Sequence, residues 1–414
     1  MMSCRNAVAN WLPISMVISL LVSCGGGGSG GGLPASATYT PKFTFVANSV
    51  SNDISVYTID SSTGALTQVS CGPNGTTGCN GTVEPTNFVA GTSPGSVTVD
   101  PSGKFAYVTN SGSGDVSAYT IDATTGALTS IGSAVGAGTN PYSVTVDPTD
   151  RFAYVANNGS SDISLYTINA STGALSQVSC GSPGTTGCSG ASPPTNFTSG
   201  STPRSIAIDP TGKFAYVANY GGTISVFTID ALSGALTKVG ADVTVGGYLT
   251  SVTVDPTGSF VYVAEYIVPY VAAYAIDTST GALTAVSGSP FAAGQNATAY
   301  PYSVSVDPSG RFAYVTNYGN NSVTAYTIDA MSGALTRINC TAVTGCTGYD
   351  FVAGTNPVSI KVDLSGKFAY VANYGSNNVS VFAIDSVTGV LSSVGTASAA
   401  GANPYYITTS GAIH

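Results

Sequence analysis

Histidine is all but missing from this 414-residue chain: its one copy, His414, is the last residue. Charge is also scarce. Asp, Glu, Lys and Arg make up 7% of the chain, against about 25% in a typical soluble domain. Eleven Lys and Arg against 20 Asp and Glu, net −9, exclude a phosphate-backbone binder, which needs clustered cations. So few charges beside 51 Gly exclude long solvated helices. The composition is still not that of a disordered chain, because 43% is hydrophobic and 24 residues are Tyr.

Long apolar runs are missing too, except at the start. Arg5 precedes a mostly apolar stretch at 7–23, too short for a comfortable membrane span. The stretch ends Leu21-Val22-Ser23-Cys24-Gly25, which resembles a bacterial lipobox. That resemblance implies cleavage before Cys24, lipidation of Cys24 and a cell-envelope address. Gly25 stands where Asp commonly signals inner-membrane retention, so the outer membrane is the expected location, with the body periplasmic or surface-facing. The Gly-rich stretch after Cys24 behaves as a coil, and residues 24–40 reach about 20 Å. If Cys24 is the membrane anchor, Cys24→Ala should move the protein from the membrane fraction to the soluble one. An unchanged membrane fraction would refute the anchor.

Six more cysteines form three local pairs: Cys71/Cys79, Cys180/Cys188 and Cys340/Cys346. Each brackets a Gly-containing turn. In an oxidising compartment they read as loop-closing disulfides, each worth about 2–3 kcal/mol by chain entropy. Metal ligation is the weaker reading, since the spacing is wrong and no histidine supports it. No metal and no cofactor are expected.

Repetition is what the chain has in abundance. FTFVAN at 43–48 returns as FAYVTN 105–110, FAYVAN 152–157, FAYVAN 214–219, FVYVAE 260–265, FAYVTN 312–317 and FAYVAN 368–373. Each unit reads as four strands. In the second unit these are 96–100, 105–110, 116–122 and 127–132. Asp-Pro-x-Gly and Asp-x-x-Thr-Gly turns join them, with Asp bonding following backbone, Pro presetting φ and Gly taking φ > 0. The chain starts on a second strand and ends on a first strand, at 404–410. The prediction is an all-β, seven-bladed β-propeller over 41–414, four antiparallel strands per blade. The C-terminal strand would complete the N-terminal blade and remove exposed edges.

The FAYVTN/FAYVAN core, the DPSG turn and the IDxxTGALT segment resemble the YVTN-repeat and lactonase-type seven-bladed propellers. That superfamily includes 6-phosphogluconolactonase-like and carboxymuconate-cyclising enzymes. The resemblance implies fold more than activity, because the repeat is scaffold. Enzymes of that family gather His, Glu and Arg at the channel mouth, and no internal His can be matched to them here.

Fifteen of the 18 Asp fall at turn or strand-end positions and read as turn residues, not cation ligands. The uniform turns lie on one face, so specificity belongs to the variable loops on the other. Residues that break the repeat are the candidates. Glu265 replaces an Asn found in the six other copies. Arg204 stands where other copies have Gly95, Tyr142, Thr250, Tyr302, Val358 and Tyr405. Lys361 replaces Thr or a small residue in a first strand, and Glu84 sits in the first Cys loop. Tyr220, Tyr266, Tyr318 and Tyr374 follow the Asn/Glu position in blades 4–7 only.

Arg204 and Glu265 read either as a plain ion pair or as an anion or carbonyl clamp with an acid/base. The tyrosines Tyr142, Tyr220, Tyr266, Tyr302, Tyr318 and Tyr374, with Lys361, read as ligand contacts or as ordinary rim residues. The first expectation is a lipid-anchored, non-catalytic module that binds a glycan, peptide or envelope protein on the variable face. The alternative is a lactonase or related cycloisomerase with a reduced site. A purely structural ring is a third reading. No nucleic-acid partner is expected, and a closed ring is expected to be a monomer.

Overall fold

The structure, a computed structural model, describes residues 39–413 apart from 73–77, 81–85, 182–186, 190–194 and 342. The expected leader, Cys24, the expected tether up to residue 38, Glu84 and His414 lie outside the described residues.

Seven antiparallel sheets form the propeller, each one blade. Blade 2 shows the plan. Pro94–Val99 is innermost, followed outward by Phe105–Asn110 and Asp115–Ile121. The outermost position is split. Leu128–Ser130 pairs with one half of the third strand and Val135–Gly136 with the other. Gly132, at φ 64°, makes the break between them. The expected single fourth strand is therefore two short pieces. In blades 1, 3 and 6 the second piece is an added hairpin, and this is where the disulfides Cys71–Cys79, Cys180–Cys188 and Cys340–Cys346 form.

Blade 1 is built from both chain ends. Pro404–Ile413 pairs with Tyr39–Asn48 from Tyr39↔Ile413 to Asn48↔Pro404. This leaves Tyr39 on the face of the Asp-Pro-x-Gly turns and Asn48 on the opposite face.

There is no single central core. Seven apolar clusters each join two neighbouring blades, and the last joins Phe368 and Tyr370 of blade 7 to Tyr57 and Ile407 of blade 1. The repeat motif explains how. The Phe that opens each second strand lies on the Thr-Gly turn of the next blade. At Gly281, φ is +77° and an added Cβ would meet the Phe214 ring at 2.4 Å. Conformation and space both demand glycine there. In six blades the Tyr two residues on donates its hydroxyl to that glycine's carbonyl, as Tyr216 to Gly281 at 3.2 Å and Tyr154 to Gly234 at 2.8 Å; blade 1 has Phe45 there. F-A-Y and T-G are thus two halves of one interblade clamp.

Turn aspartates behave as their positions suggested. Asp209 Oδ1 accepts from the amides of Lys213 and Phe214, both at 2.7 Å. Asp230 Oδ1 accepts from Leu232 and Ser233. First-strand serines satisfy the open inner edge, Ser205 Oγ accepting from Val252 N at 3.1 Å and Ser359 Oγ from Ile407 N at 3.2 Å. The inner strands therefore stand as a ring around a central channel.

Candidate functional site

The channel opens on the variable face through residues at two repeat positions. One is the second residue of each inner strand. A bulge follows the opening residue of that strand, as between Pro203 and Ser205, so the side chain between them is turned to the mouth. Tyr142, Arg204, Tyr302 and Tyr405 occupy this position. The other is the residue after the second strand, which gives Tyr220, Tyr266, Tyr318 and Tyr374. Their backbones are fixed by the interblade linkers: Tyr220 N donates to Thr202 O and Tyr318 N to Tyr300 O, at 2.9 and 3.0 Å.

These side chains form a cup of about 220 Å³ lined by Arg204, Tyr220, Tyr266, Tyr302, Tyr318, Val358, Tyr374 and Tyr405. The rings meet mostly edge to face: Tyr266–Tyr302 at 5.7 Å, Tyr142–Tyr405 at 5.6 Å and Tyr374–Tyr405 at 6.0 Å. All eight lining residues except buried Val358 are half-buried. They present aromatic faces with hydroxyl tips, a surface suited to the C–H faces and hydroxyls of a sugar.

Arg204 is clamped on one wall. Its guanidinium carbon lies 4.8 Å from the centre of the Tyr142 ring and 3.9 Å from that of Tyr220, cation–π contacts that fix the plane. Nη1 donates to Tyr302 Oη at 3.5 Å. Nε is buried and has no partner among the described residues. Tyr302 Oη is also hydrogen-bonded to Tyr405 Oη, and to Tyr142 Oη at 3.2 Å. Burial is the main cause that raises the Tyr302 and Tyr142 hydroxyls above the usual phenol value, and Arg204 offsets it only in part. The Tyr302 and Tyr142 hydroxyls stay protonated and can donate. This tyrosine layer separates the cup from a channel cavity of about 190 Å³ below, in which Lys361 lies.

Glu265 lies elsewhere. It lines neither cavity. It shares a strand face with Val261 and Val263, which pack against Phe214 and Tyr216 of blade 4, so it points into the crevice between blades 4 and 5. In other blades this position holds an Asn whose amide bonds third-strand hydroxyls, as Asn157 Nδ2 to Ser164 Oγ at 2.8 Å and Asn317 Nδ2 to Thr324 Oγ1 at 2.8 Å. The matching residue in blade 5 is Ala272. Among the described residues Glu265 has no hydrogen-bond partner and does not pair with Arg204; the ion pair present is Lys238–Asp242 at 2.8 Å.

Burial alone raises the Glu265 carboxyl to about 7. A folded-state value above the unfolded 4.5 favours the protonated fold. The group's contribution is kept below pH 4.5 and lost as pH rises through 7. Glu265→Gln should therefore stabilise the protein at pH 8 relative to wild type by about 2–3 kcal/mol more than at pH 4.5. Urea unfolding at both pH values measures this. Parallel behaviour of the two proteins would contradict it.

Three contributors to the mouth were not among the sequence candidates. Tyr405 lies on the closing strand, in register with the Arg204 position, and that register was the available signal. Tyr248 stacks on Tyr220 with centroids 4.4 Å apart, and Tyr300 lies 5.3 Å from Tyr266. Both sit on linkers, where the repeat is least regular. Tyr300 has φ 51°, rare for a bulky residue and held here by its surroundings.

The family described as "Lactonase, 7-bladed beta-propeller" matches residues 36–188, 190–348 and 251–409. A Bacillus subtilis 6-phosphogluconolactonase is 25% identical over 204 residues, 47% of this chain. The chain spans 56% of that protein's length and 23% of a second 6-phosphogluconolactonase, from Formosa agariphila. A Bacteroides uniformis protein solved as a candidate 6-phosphogluconolactonase superposes with TM-score 0.70 at 17% identity, covering 90% of this chain and all of that one. The Pseudomonas aeruginosa periplasmic gluconolactonase gives TM-score 0.66 at 19% identity, covering 90% and 99%. The family match and the curated names overturn the expectation of a non-catalytic module. That expectation leaned on the lack of an internal histidine. The mouth holds a fixed guanidinium and protonated hydroxyls, which can polarise a carbonyl without one.

Proposed function

We propose that this chain, which belongs to the lactonase family of seven-bladed β-propellers, hydrolyses a sugar lactone in its tyrosine cup. The observation that carries the reading is Arg204: a guanidinium held flat between two rings, with Nε unpartnered and Nη1 at a donor hydroxyl. In the cup the tyrosine rings hold the sugar ring by its C–H faces. Arg204 and the Tyr302 hydroxyl donate to the lactone carbonyl oxygen. Water adds to the carbonyl carbon, and the negative charge that develops on oxygen is met by those fixed donors. The ester C–O bond then breaks and the ring oxygen takes a proton. The product is an open-chain hydroxy acid, released as carboxylate and proton.

The substrate class follows from the charge count. Arg204 is the one cation among the cup residues. Serving the carbonyl, it leaves no cation for a phosphate dianion. An unphosphorylated aldonolactone is therefore the favoured substrate over its 6-phospho form. Proton release in weak buffer, followed with both lactones on the full chain, tests this. Faster turnover of glucono-δ-lactone supports it. A strong preference for the phosphorylated lactone would overturn it. The envelope address suggested by the leader and Cys24 is part of the same proposal, and fractionation of Cys24→Ala tests that part separately.

A further inference from the structure

Below the tyrosine layer the channel changes character. The inner-strand residue three places beyond the Arg204 position lines it, about 10 Å deeper by strand rise. The repeat supplies Thr98, Thr145, Thr253, Ser305 and Thr408 there, while Ala207 packs on the apolar cluster between blades 4 and 5. Blade 7 supplies Lys361. Among the described residues its ammonium has no hydrogen bond and no ion pair. One residue of the neighbouring inner strand also breaks the pattern. Tyr406 replaces a serine that the six other blades carry and that caps the edge in blades 4–7, and among the described residues its hydroxyl likewise has no partner. Thr98, Thr145 and Thr253 line the same space, and among the described residues their hydroxyls have no hydrogen bond. No Asp or Glu lines the cavity. The nearest carboxylate along the strand, Asp363, is turned to its own tight turn, where it accepts from Ser365 Oγ and Lys367 N.

A half-buried ammonium that lines an enclosed channel without a counterion is costly. The surrounding donors would not offset that cost unless something that accepts from all of them occupies the space. We propose that the channel below the tyrosines is a binding site for a small monovalent anion, a halide or a short carboxylate, held by Lys361 and the hydroxyls around it. The volume of about 190 Å³ admits such an anion with a few waters, each taking about 30 Å³. The tyrosine layer closes the channel to a sugar acid held in the cup. The site is independent of the lactonase reading, because Lys361 does not line the cup. Burial lowers the Lys361 ammonium's pKa, and a bound anion would oppose that shift.

The test is ³⁵Cl line broadening by the full chain, with chloride titrated and sodium formate as competitor. Lys361→Thr installs the residue that four other blades carry, so the fold is expected to hold, and a thermal melt checks it. Lys361→Arg keeps the charge. The expected result is saturable broadening by wild type that formate removes. It should be retained at least in part by Lys361→Arg and reduced at least tenfold by Lys361→Thr. Equal broadening by wild type and folded Lys361→Thr would overturn the proposal. So would no saturable broadening by wild type, or a signal lost in Arg204→Gln but kept in Lys361→Thr, which would put the anion at the mouth.

Discussion

Arg204→Ala is expected to lower kcat/KM for glucono-δ-lactone by about 10²–10³-fold, the usual cost of removing one oxyanion donor. The loss should fall mainly on kcat, because the guanidinium acts most strongly on charge that appears in the transition state. KM should change less, since Tyr266, Tyr318 and Tyr374 still line the cup. The fold tolerates the change: the same position is Gly95 in blade 2, Thr250 in blade 5 and Val358 in blade 7. Arg204→Lys keeps a charge but loses the flat group that fits between Tyr142 and Tyr220, so it should recover only part of the rate. Steady-state kinetics of both variants measure this. A KM increase at unchanged kcat would instead make Arg204 a ground-state binding residue.

Removing residues 404–414 should abolish cooperative folding. The segment supplies the innermost strand of blade 1, paired along Tyr39–Asn48. It also contributes Ile407 to the cluster between blades 7 and 1, and Tyr406 packs on the cluster between blades 1 and 2. Without it two neighbouring interfaces lose packing, and Phe43–Asn48 presents an open, apolar edge. The combined loss approaches the roughly 5–15 kcal/mol that holds a domain together. Aggregation or a non-cooperative melt is expected by size exclusion and circular dichroism. A monomer that melts like the full chain would contradict the account of closure.

The fold was readable because its turns and clamps are sequence-local. Gly281 and Phe214 belong to different blades, yet each recurs at a fixed place in its own repeat. The unit length, the strand order and the closing strand all followed. The broken fourth strand did not, because Gly132 reads as the strand's end and not as a mid-edge turn. The mouth was partly readable. Arg204 and Lys361 stood out by breaking the repeat, and both line the central cavities. Glu265 broke it too, but strand parity puts it with Val261 and Val263 in an interblade crevice, and the repeat alone does not say which strand face meets the channel. Tyr248 and Tyr300 lie on linkers of unequal length, where no register relates one copy to another.

The most direct measurement is the rate of glucono-δ-lactone hydrolysis by the purified full chain, against matched buffer and against Arg204→Gln. The account predicts saturable acceleration by wild type that largely disappears in the folded variant. Wild-type protein that matches the buffer rate, or an Arg204→Gln variant as fast as wild type, would contradict catalysis at the tyrosine-lined mouth.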